Sequence, residues 1–600
     1  MTRSAARAGV VALALPFRSV PVTATTALGL TVLAGAAPAS GAWLTMLLVN
    51  ELTTGTASTG RAVFLAIASA LAGGLAIALL YLAGYLGEVV RHRVTLTVES
   101  RLFQRVATLP GLRHIEDPAF HNRLRLAEEA AQEAPGTVSQ FAQELVHSVI
   151  VLTGFAGVLL AVWPPMTLLL LASVLTAVLA RLATARREVA VEEAWVATDR
   201  RRLFYRALLT DVRAAKEIRL FGLGTLLHTR MIDSLAAVTH ARLSVARRGA
   251  LVQSGLALLG AAVTGVGTVV VATNVATGGA PVGDLVLFLG AVAGVQTGLS
   301  GVVLQLGEAI RAARLFVHYL DVLDTGDDLP DGMGTPPPSA TIEVRDVWFR
   351  YGEEGPWVLR GVNLTIPAGA AVGLAGVNGA GKSTLVKLLC RYYDPQRGTI
   401  TWGGVDIREL DVAALRARIG VVFQDFMTYD LTAAENIGIG QVQRLGDRSR
   451  IVAAARAAGA DDTVAALPSG YDTVLSRTHT DDDGERAGVT LSGGQWQRMA
   501  LARCLMRADA ELIVLDEPTS GLDAEGEHRV HATLRRHAQG RTRLLISHRM
   551  SALRGADLIV TLVDGRTSER GSHDELMDAD GEYARLFRLQ AGGYQDARVR

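Results

Sequence analysis

Five stretches of this chain contain no Asp, Glu, Lys or Arg: residues 19–50, 62–87, 145–180, 249–283 and 285–307. A hydrocarbon core about 30 Å thick is crossed by a helix of about 20 apolar residues. A helix is suited to it because its backbone groups are paired internally where there is no water. Four of the stretches supply one span each. The stretch 145–180 has Trp163, Pro164 and Pro165 near its centre. Proline cannot continue a helix without losing a hydrogen bond, so this stretch reads as a tight helical hairpin. Six spans are expected, near 22–50, 62–90, 139–162, 165–182, 249–273 and 284–307.

Basic residues orient the spans. Arg3, Arg7 and Arg18 precede the first one, residues 88–138 carry seven arginines, and residues 181–248 carry fourteen basic residues. The alternate connections, 51–61, 163–165 and 274–284, hold only Arg61. Positive charge marks the cytoplasmic side, so both termini are expected inside, in a multi-pass protein of the cell membrane. The N-terminus imitates a secretory signal, but cleavage among the small residues at 36–42 would remove the first span. The stretch 10–20 reads instead as a segment lying along the membrane surface, with Phe17 in the apolar layer and Arg18 among headgroups.

Residues 88–138 and 181–248 have helical periodicity and read as continuations of the spans into the cytosol. The first is broken at Leu109, Pro110 and Gly111 and again at Asp117 and Pro118; the second is broken near Phe221–Gly224. Such breaks make contact points for a soluble domain, and Lys216, Glu217 and Phe221 are the coupling candidates in the second. The arginines at 200–202 read as a solvated, positive-inside face.

Composition narrows the remainder. The 59 basic and 58 acidic residues nearly cancel, which excludes a strongly basic nucleic-acid binder, and 50% hydrophobic residues exclude disorder as the main state. Cys390 and Cys504 are the only cysteines, too few for a disulfide scaffold, and read as small apolar residues. Only three basic residues are lysines, Lys216, Lys382 and Lys387, so each one merits attention.

Residues 324–340, rich in Gly, Pro and Asp, read as a linker. Beyond them short β runs at 342–349, 371–375, 512–515 and 544–546 alternate with helical stretches, the pattern of an α/β domain. The expected organisation is an interfacial segment 1–21, a membrane domain 22–323, the linker, a soluble domain 341–590 and a tail 591–600.

Two elements in the soluble domain carry chemistry. Gly376, Val377, Asn378, Gly379, Ala380, Gly381, Lys382 and Ser383 fit G-x-x-x-x-G-K-[ST] after a β run and before a helix, with Thr384 next. The glycines let backbone N–H groups surround phosphate oxygens at a helix N-terminus. Lys382 brings a compact charge to the β/γ-phosphates, and Ser383 can ligate Mg²⁺. Residues 512–515 then deliver Asp516 and Glu517 at the end of a buried strand. Asp516 is placed to hold Mg²⁺ and Glu517 to polarise the attacking water, which together read as an ATPase.

A third element gives the family. Leu491, Ser492, Gly493, Gly494 and Gln495 precede an amphipathic helix and match the signature sequence of ATP-binding cassette proteins. With Tyr351, Gln424, Ser520–Asp523 and His548, nearly the whole chain resembles an ABC transporter. Six spans ahead of one cassette resemble an exporter-type half-transporter: an α-helical membrane domain followed by an α/β P-loop ATP-binding cassette.

The resemblance implies that Tyr351 stacks on adenine, that Gln424 senses Mg²⁺ and the membrane domain, and that His548 contacts the γ-phosphate. It implies that Gly484, Glu485 and Arg486 touch the membrane domain, although one extra residue stands between them and the signature. The run Asp481–Asp483 before them reads also as a solvated acidic turn. It further implies that Ser492, Gly493, Gly494 and Gln495 act on ATP held by another cassette, so the chain dimerises head to tail; a homodimer and a heterodimer both satisfy this.

The spans are mainly Ala, Val, Leu and Gly with no charge at mid-span, which suits a hydrophobic or amphipathic cargo such as a peptide, lipid or drug-like metabolite. Trp496 is similar to its counterpart in exporters of modified peptides, and reads equally as a packing residue. Export is the leading expectation; import through the same fold and an ATP-dependent membrane regulator are the alternatives.

Overall fold

A computed structural model describes residues 3–53, 58–162, 164, 167, 176, 198, 201–211, 214–476, 488–518 and 540–596. The expected turn residues Trp163 and Pro165, most of the fourth span, Arg200, Asp481–Asp483, Gly484–Arg486 and Ser520–Asp523 lie outside them. The chain forms two compact units, Met1–Thr108 with Pro118–Thr325, and Leu109–Asp117 with Gly326–Arg600.

The first unit is helical. Its elements are α1 (Arg3–Ser19), α2 (Pro21–Thr53), α3 (Thr59–Thr108), α4 (Pro118–Val162), the short α5 (Ala215–Leu220), α6 (Gly224–Ala276) and α7 (Val282–Leu323). At 1.5 Å per residue the 50 residues of α3 extend roughly 75 Å, more than twice a hydrocarbon core. In α3, α6 and α7 the charge-free stretch is thus part of a longer helix whose remainder carries arginines, while α2 carries none. Among the described residues α2, α3, α4 and α6 are each long and apolar enough to cross a membrane, and α7 opens with the apolar stretch Val282–Gly298. Gly222, at φ +64°, supplies the left-handed turn in the break between α5 and α6.

These helices turn apolar residues outward as well as inward. Phe64, Leu71, Tyr81 and Tyr85 of α3 and Leu251, Leu258 and Val266 of α6 are all exposed, as surfaces meant for lipid are. Inward, Ala39, Phe155, Leu159, Val271, Phe288, Ala291 and Val295 form one seam joining α2, α4, α6 and α7. Gly294 allows the α4–α7 contact, since a Cβ there would stand 2.1 Å from Cε2 of Phe155. Polar groups in the seam are paired. The Ser148 hydroxyl donates to the Gly298 carbonyl at 2.7 Å, and the Thr45 and Ser69 hydroxyls lie 2.8 Å apart between α2 and α3. On α1, Ala8, Ala12 and Leu15 are buried while Val10, Leu13 and Phe17 face outward.

The second unit holds two sheets. The antiparallel one has the order β2-β1-β4-β5, from β1 (Ile342–Phe349), β2 (Leu359–Ile366), β4 (Arg397–Trp402) and β5 (Val405–Asp406). The other has the order β10-β9-β3-β8-β7-β6, from β3 (Ala371–Ala375), β6 (Ile419–Val422), β7 (Leu512–Asp516), β8 (Thr542–Ile546), β9 (Leu558–Val563) and β10 (Arg566–Gly571). All pairs in it are parallel except β9–β10. Its helices among the described residues are α8 (Lys382–Leu389), α9 (Val412–Ala417), α10 (Ala433–Gly438), α11 (Arg448–Ala458), α12 (Asp461–Ala465), α13 (Gly493–Leu505), α14 (Met550–Leu553), α15 (His573–Asp578) and α16 (Glu582–Asp596).

Two features sharpen the sequence reading. The stretch 324–340 is fixed to this unit from Gly326 on: Leu329 is buried, the Gly334 N–H donates to the Glu409 carbonyl at 2.9 Å, and Trp402 Nε1 donates to the Pro337 carbonyl at 3.0 Å. A Pro-rich segment has little entropy to lose, so a few such contacts hold it. Trp496, in turn, packs among Leu491, Met499, Ala500 and Val464 in the helical core of this unit. That accounts for it as a packing residue.

Replacing Gly294 with Val is expected to destabilise the helical unit by about 1–3 kcal/mol through overpacking against Phe155. Gly157, with open space at its Cβ position, serves as the control. Thermal unfolding in nanodiscs should show a lower midpoint for Gly294→Val and none of that loss for Gly157→Ala.

Candidate active site

Parallel strands bring their C-terminal ends to one edge of the sheet. Leu374 of β3 pairs with Ile546 of β8, Ile546 with Asp516 of β7, and Leu515 with Val422 of β6. The residues following these strands are Gly376–Lys382, His548, Glu517 and Gln424, so elements far apart in sequence emerge side by side. Of these, Asn378, Gly379, Gly381, Lys382, Gln424, Glu517 and His548 line one cavity of about 470 Å³ together with Val358, Ser383, Thr384 and Asp516.

The loop after β3 depends on two glycines above all. Gly376 has φ +148°, and a Cβ on it would meet the Leu562 carbonyl oxygen at 2.5 Å. Gly381 has φ +98° and starts α8 in a left-handed conformation, with Leu359 Cδ2 2.6 Å from where a Cβ would stand. Any side chain at either position is both strained and crowded. Lys382 folds back on this loop, donating to the carbonyls of Gly376 at 2.7 Å and Val377 at 3.0 Å. Burial pushes its ammonium pKa down, while Glu517 and Asp516 pull it back up. Ala380 is buried beneath the loop.

Asp516 is buried at the end of β7. Burial raises its carboxyl above the ordinary range; a hydrogen bond from Ser383 and the charge of Lys382 oppose the rise, and Glu517 adds to it. A buried carboxylate beside a serine hydroxyl offers hard oxygen donors, the set a magnesium ion prefers.

Glu517 is the junction of the site. It sits at φ +51°, a left-handed conformation that costs a non-glycine residue roughly 1–2 kcal/mol. Its N–H donates to the Ile546 carbonyl at 2.9 Å, and its own carbonyl accepts from Gln497 Nε2 at 3.1 Å. With the backbone so held, the carboxylate meets His548 Nδ1 at 3.1 Å through one oxygen and accepts from Gln424 Nε2 at 3.2 Å through the other. The carboxylate is 11% exposed and His548 is 47% exposed.

Tyr351 follows β1 and stands beside α8, its hydroxyl 3.2 Å from Thr384 Oγ1. The signature is built as a helix start: the Ser492 Oγ accepts from the Gln495 N–H at 3.4 Å and Gln495 Oε1 accepts from the Ser492 N–H at 2.8 Å, a reciprocal capping box. None of Ser492, Gly493, Gly494 and Gln495 lines the cavity that holds Lys382 and Glu517.

Sequence reasoning missed two glutamines here. Gln497 was signalled by its position, a polar residue on the face of α13 that also buries Met499, Ala500 and Leu501. Gln590 of α16 carried no such signal. Its Oε1 accepts from the Met550 N–H at 2.8 Å, and its Nε2 donates to the His548 carbonyl. Helix α14 has no side-chain cap from its own N-cap residue, so Gln590 satisfies one of its free N–H groups and grips the histidine loop.

A phosphate loop, two carboxylates after a buried strand and a histidine after the strand between them define a P-loop nucleotide-binding domain that follows a helical membrane unit. Residues 359–520 match the family described as ABC transporter. The chain is 41% identical to the ATP-dependent lipid A-core flippase of Alkalilimnicola ehrlichii over 313 residues, 52% of this chain and 51% of that protein. It is 40% identical to the flippase of the same name from Syntrophus aciditrophicus over 283 residues, 47% and 45% of the two chains. The matched part thus spans about half the length of these relatives. A bacterial Atm1-family ABC exporter solved with ATP bound superposes with a TM-score of 0.81 at 24% identity, covering 95% of this chain and 99% of that one. Residues 359–520 are accordingly an ABC transporter domain, and the chain has the fold of an ABC exporter.

Replacing Gln590 with Leu should loosen the loop 548–550 without disturbing α13. Losing two hydrogen bonds of about 1 kcal/mol each corresponds to roughly tenfold or greater faster amide exchange there. Hydrogen exchange by mass spectrometry measures it.

Proposed function

We propose that this chain is an ATP-driven half-transporter that hydrolyses ATP to export a hydrophobic or amphipathic compound across the cell membrane. The observation that carries the reading is the convergence of Lys382, Asp516, Glu517, Gln424 and His548 on one cavity. The exporter fold supports it, and so do relatives named as lipid A-core flippases. Membrane-exposed apolar helices suit a lipid-like cargo. The arginine-rich segments 88–138 and 181–248 support cytoplasmic termini.

ATP is the substrate of the site. The backbone of residues 376–384 surrounds its phosphates, Lys382 turns from the carbonyls of Gly376 and Val377 to the β/γ-phosphates, and Tyr351 stacks on adenine. Ser383, Asp516 and Gln424 would hold a magnesium ion, which supplies charge neutralisation at the phosphates. Glu517 accepts the proton of the attacking water as that water bonds to the γ-phosphorus and ADP leaves. His548 steadies the carboxylate and faces the γ-phosphate. Ser492, Gly493, Gly494 and Gln495, which lie off this cavity, act on the nucleotide of a second cassette, so two chains enclose two ATPs. The segment 109–117 packs within the cassette unit and continues at either end into α3 and α4. Closure of the cassettes therefore pulls on both helices.

Glu517→Gln is expected to lower ATP turnover by about 10²–10⁴-fold while sparing ATP binding, the loss usual for a general base. ATPase assay in nanodiscs checks it, and flux into inverted vesicles gives the direction of transport. Near-normal turnover in that variant contradicts the assignment. A second expectation concerns pH. The raised Asp516 carboxyl must lose its proton to bind the metal, so Mg²⁺-dependent nucleotide affinity should fall as pH drops, and from a higher pH than for an ordinary aspartate. Mg²⁺-independent binding should not follow it, and Asp516→Asn should abolish the dependence.

A further inference from the structure

Of the three lysines in this arginine-rich chain, Lys382 belongs to the phosphate loop, while Lys387, five residues on in α8, has no part in that motif. Its ammonium lies 5.2 Å over the centroid of the Tyr351 ring and 2.7 Å from Oε1 of Glu116. The second oxygen of Glu116 accepts from the Tyr393 hydroxyl, and Tyr393 meets the Tyr351 ring edge-on, 5.6 Å between centroids at 89°. Phe349 closes the other edge at 5.1 Å. One carboxylate therefore holds both the cation and the phenol that bear on Tyr351. Burial works to lower the Lys387 pKa, but the hydrogen bonds and charges of Glu116 and Tyr351 prevail and raise it, so the cation is secured; Tyr393 is likewise driven up and stays a neutral donor.

We propose that Glu116, in the connection between α3 and α4, is a positioning residue for nucleotide binding: it fixes the Lys387 ammonium on the Tyr351 ring and so presets the surface that receives the base. The inference rests on the assignment of Tyr351 as the base platform.

Glu116 is not needed merely to attach its segment. Asp328 accepts from the N–H groups of Gly111 at 2.8 Å and Arg113 at 3.1 Å, the Leu112 N–H donates to the Tyr392 carbonyl at 3.2 Å, and Arg416 donates to the Pro110 carbonyl at 2.6 Å. Leu112 packs on the cassette core. The segment is anchored three to six residues before Glu116, which leaves that carboxylate to act on Lys387 and Tyr393. A lysine suits the place because its compact ammonium can sit on a ring and meet a carboxylate together, where a planar guanidinium would need to stack.

The test is a set of mutant cycles on the full chain in nanodiscs, reading Kd for a fluorescent ATP analogue, KM and kcat. The variants are Lys387→Met, Glu116→Ala, Tyr351→Leu and each of the first two combined with Tyr351→Leu. Lys387→Met and Glu116→Ala should each raise Kd and KM about 3- to 10-fold, the size a half-exposed cation–π contact supports, with a smaller change in kcat. Neither should weaken binding further once Tyr351 is Leu. Lys387→Arg, which keeps the charge and alters its shape, should fall between wild type and Lys387→Met and covers the case in which Met disturbs folding. Unchanged affinity, losses that persist in the Tyr351→Leu background, or a fall in kcat at constant KM would overturn the inference. If Tyr351→Leu itself leaves Kd unchanged, the platform assignment fails with it; if only the Lys387 and Glu116 variants are silent, that assignment stands and this inference alone falls.

Discussion

The parallel pairing of β3, β8, β7 and β6 is the constraint on which the site depends. Each pair holds its neighbours in a register that ends at the same edge: Leu374 opposite Ile546, Ile546 opposite Asp516, Leu515 opposite Val422. A parallel sheet requires crossovers, and the crossovers here carry the helices that bury its faces. That register brings the groups lining the cavity to one edge, and local backbone conformations such as those of Gly381 and Glu517 then set their orientation. A slip of one residue in β7 would turn Asp516 to the opposite face of the sheet and carry Glu517 away from Gln424 and His548. Leu512–Asp516 is buried throughout, and Ala371–Ala375 is buried except at Ala371.

The two units solve opposite solvation problems with similar residues. In the cassette the large apolar side chains converge on closed cores, such as that of Ile342, Phe349, Leu385, Trp402 and Val514. In the helical unit α3 and α6 display Leu, Val, Phe and Tyr outward, and helix contacts rely on Ala and Gly, as at Ala39, Ala291 and Gly294. Where lipid is as apolar as leucine, burying leucine between helices gains little, and close approach of small residues supplies the dispersion contact instead. Pro38 lies within the unbroken helix α2, where a membrane-spanning helix tolerates proline because its neighbours satisfy the freed backbone groups.

Much of this was legible in the sequence because the signals were local. Absence of charge over 19–50 or 249–283 has one strong physical meaning, and Gly376–Ser383 states its own turn, charge and helix start. The segment 324–340 was legible only as a linker, since its composition does not show the Glu409 carbonyl and the Trp402 indole that hold it. The long-range partners were beyond reach. Glu116 stands 271 residues from Lys387 and Gln590 stands 42 from His548. Nothing in a one-dimensional pattern marks an exposed glutamate or a helical glutamine as the holder of a distant loop. Gln497 lay between, since a polar group on a buried face must find a partner, although sequence could not say that the partner was the Glu517 carbonyl.

The strain at Glu517 ties these observations together. A left-handed glutamate persists only where its surroundings over-determine it, and three do so here: the Ile546 carbonyl from β8, the Gln497 amide from α13 and the His548 ring beyond β8. Each comes from a different element, and α13 is the helix that begins with the signature capping box. A shift of α13 along its axis would therefore act on the backbone of Glu517 through Gln497 before reaching any nucleotide directly. The backbone of Glu517 and the capping box at Ser492 and Gln495 are thus joined through one helix by way of Gln497.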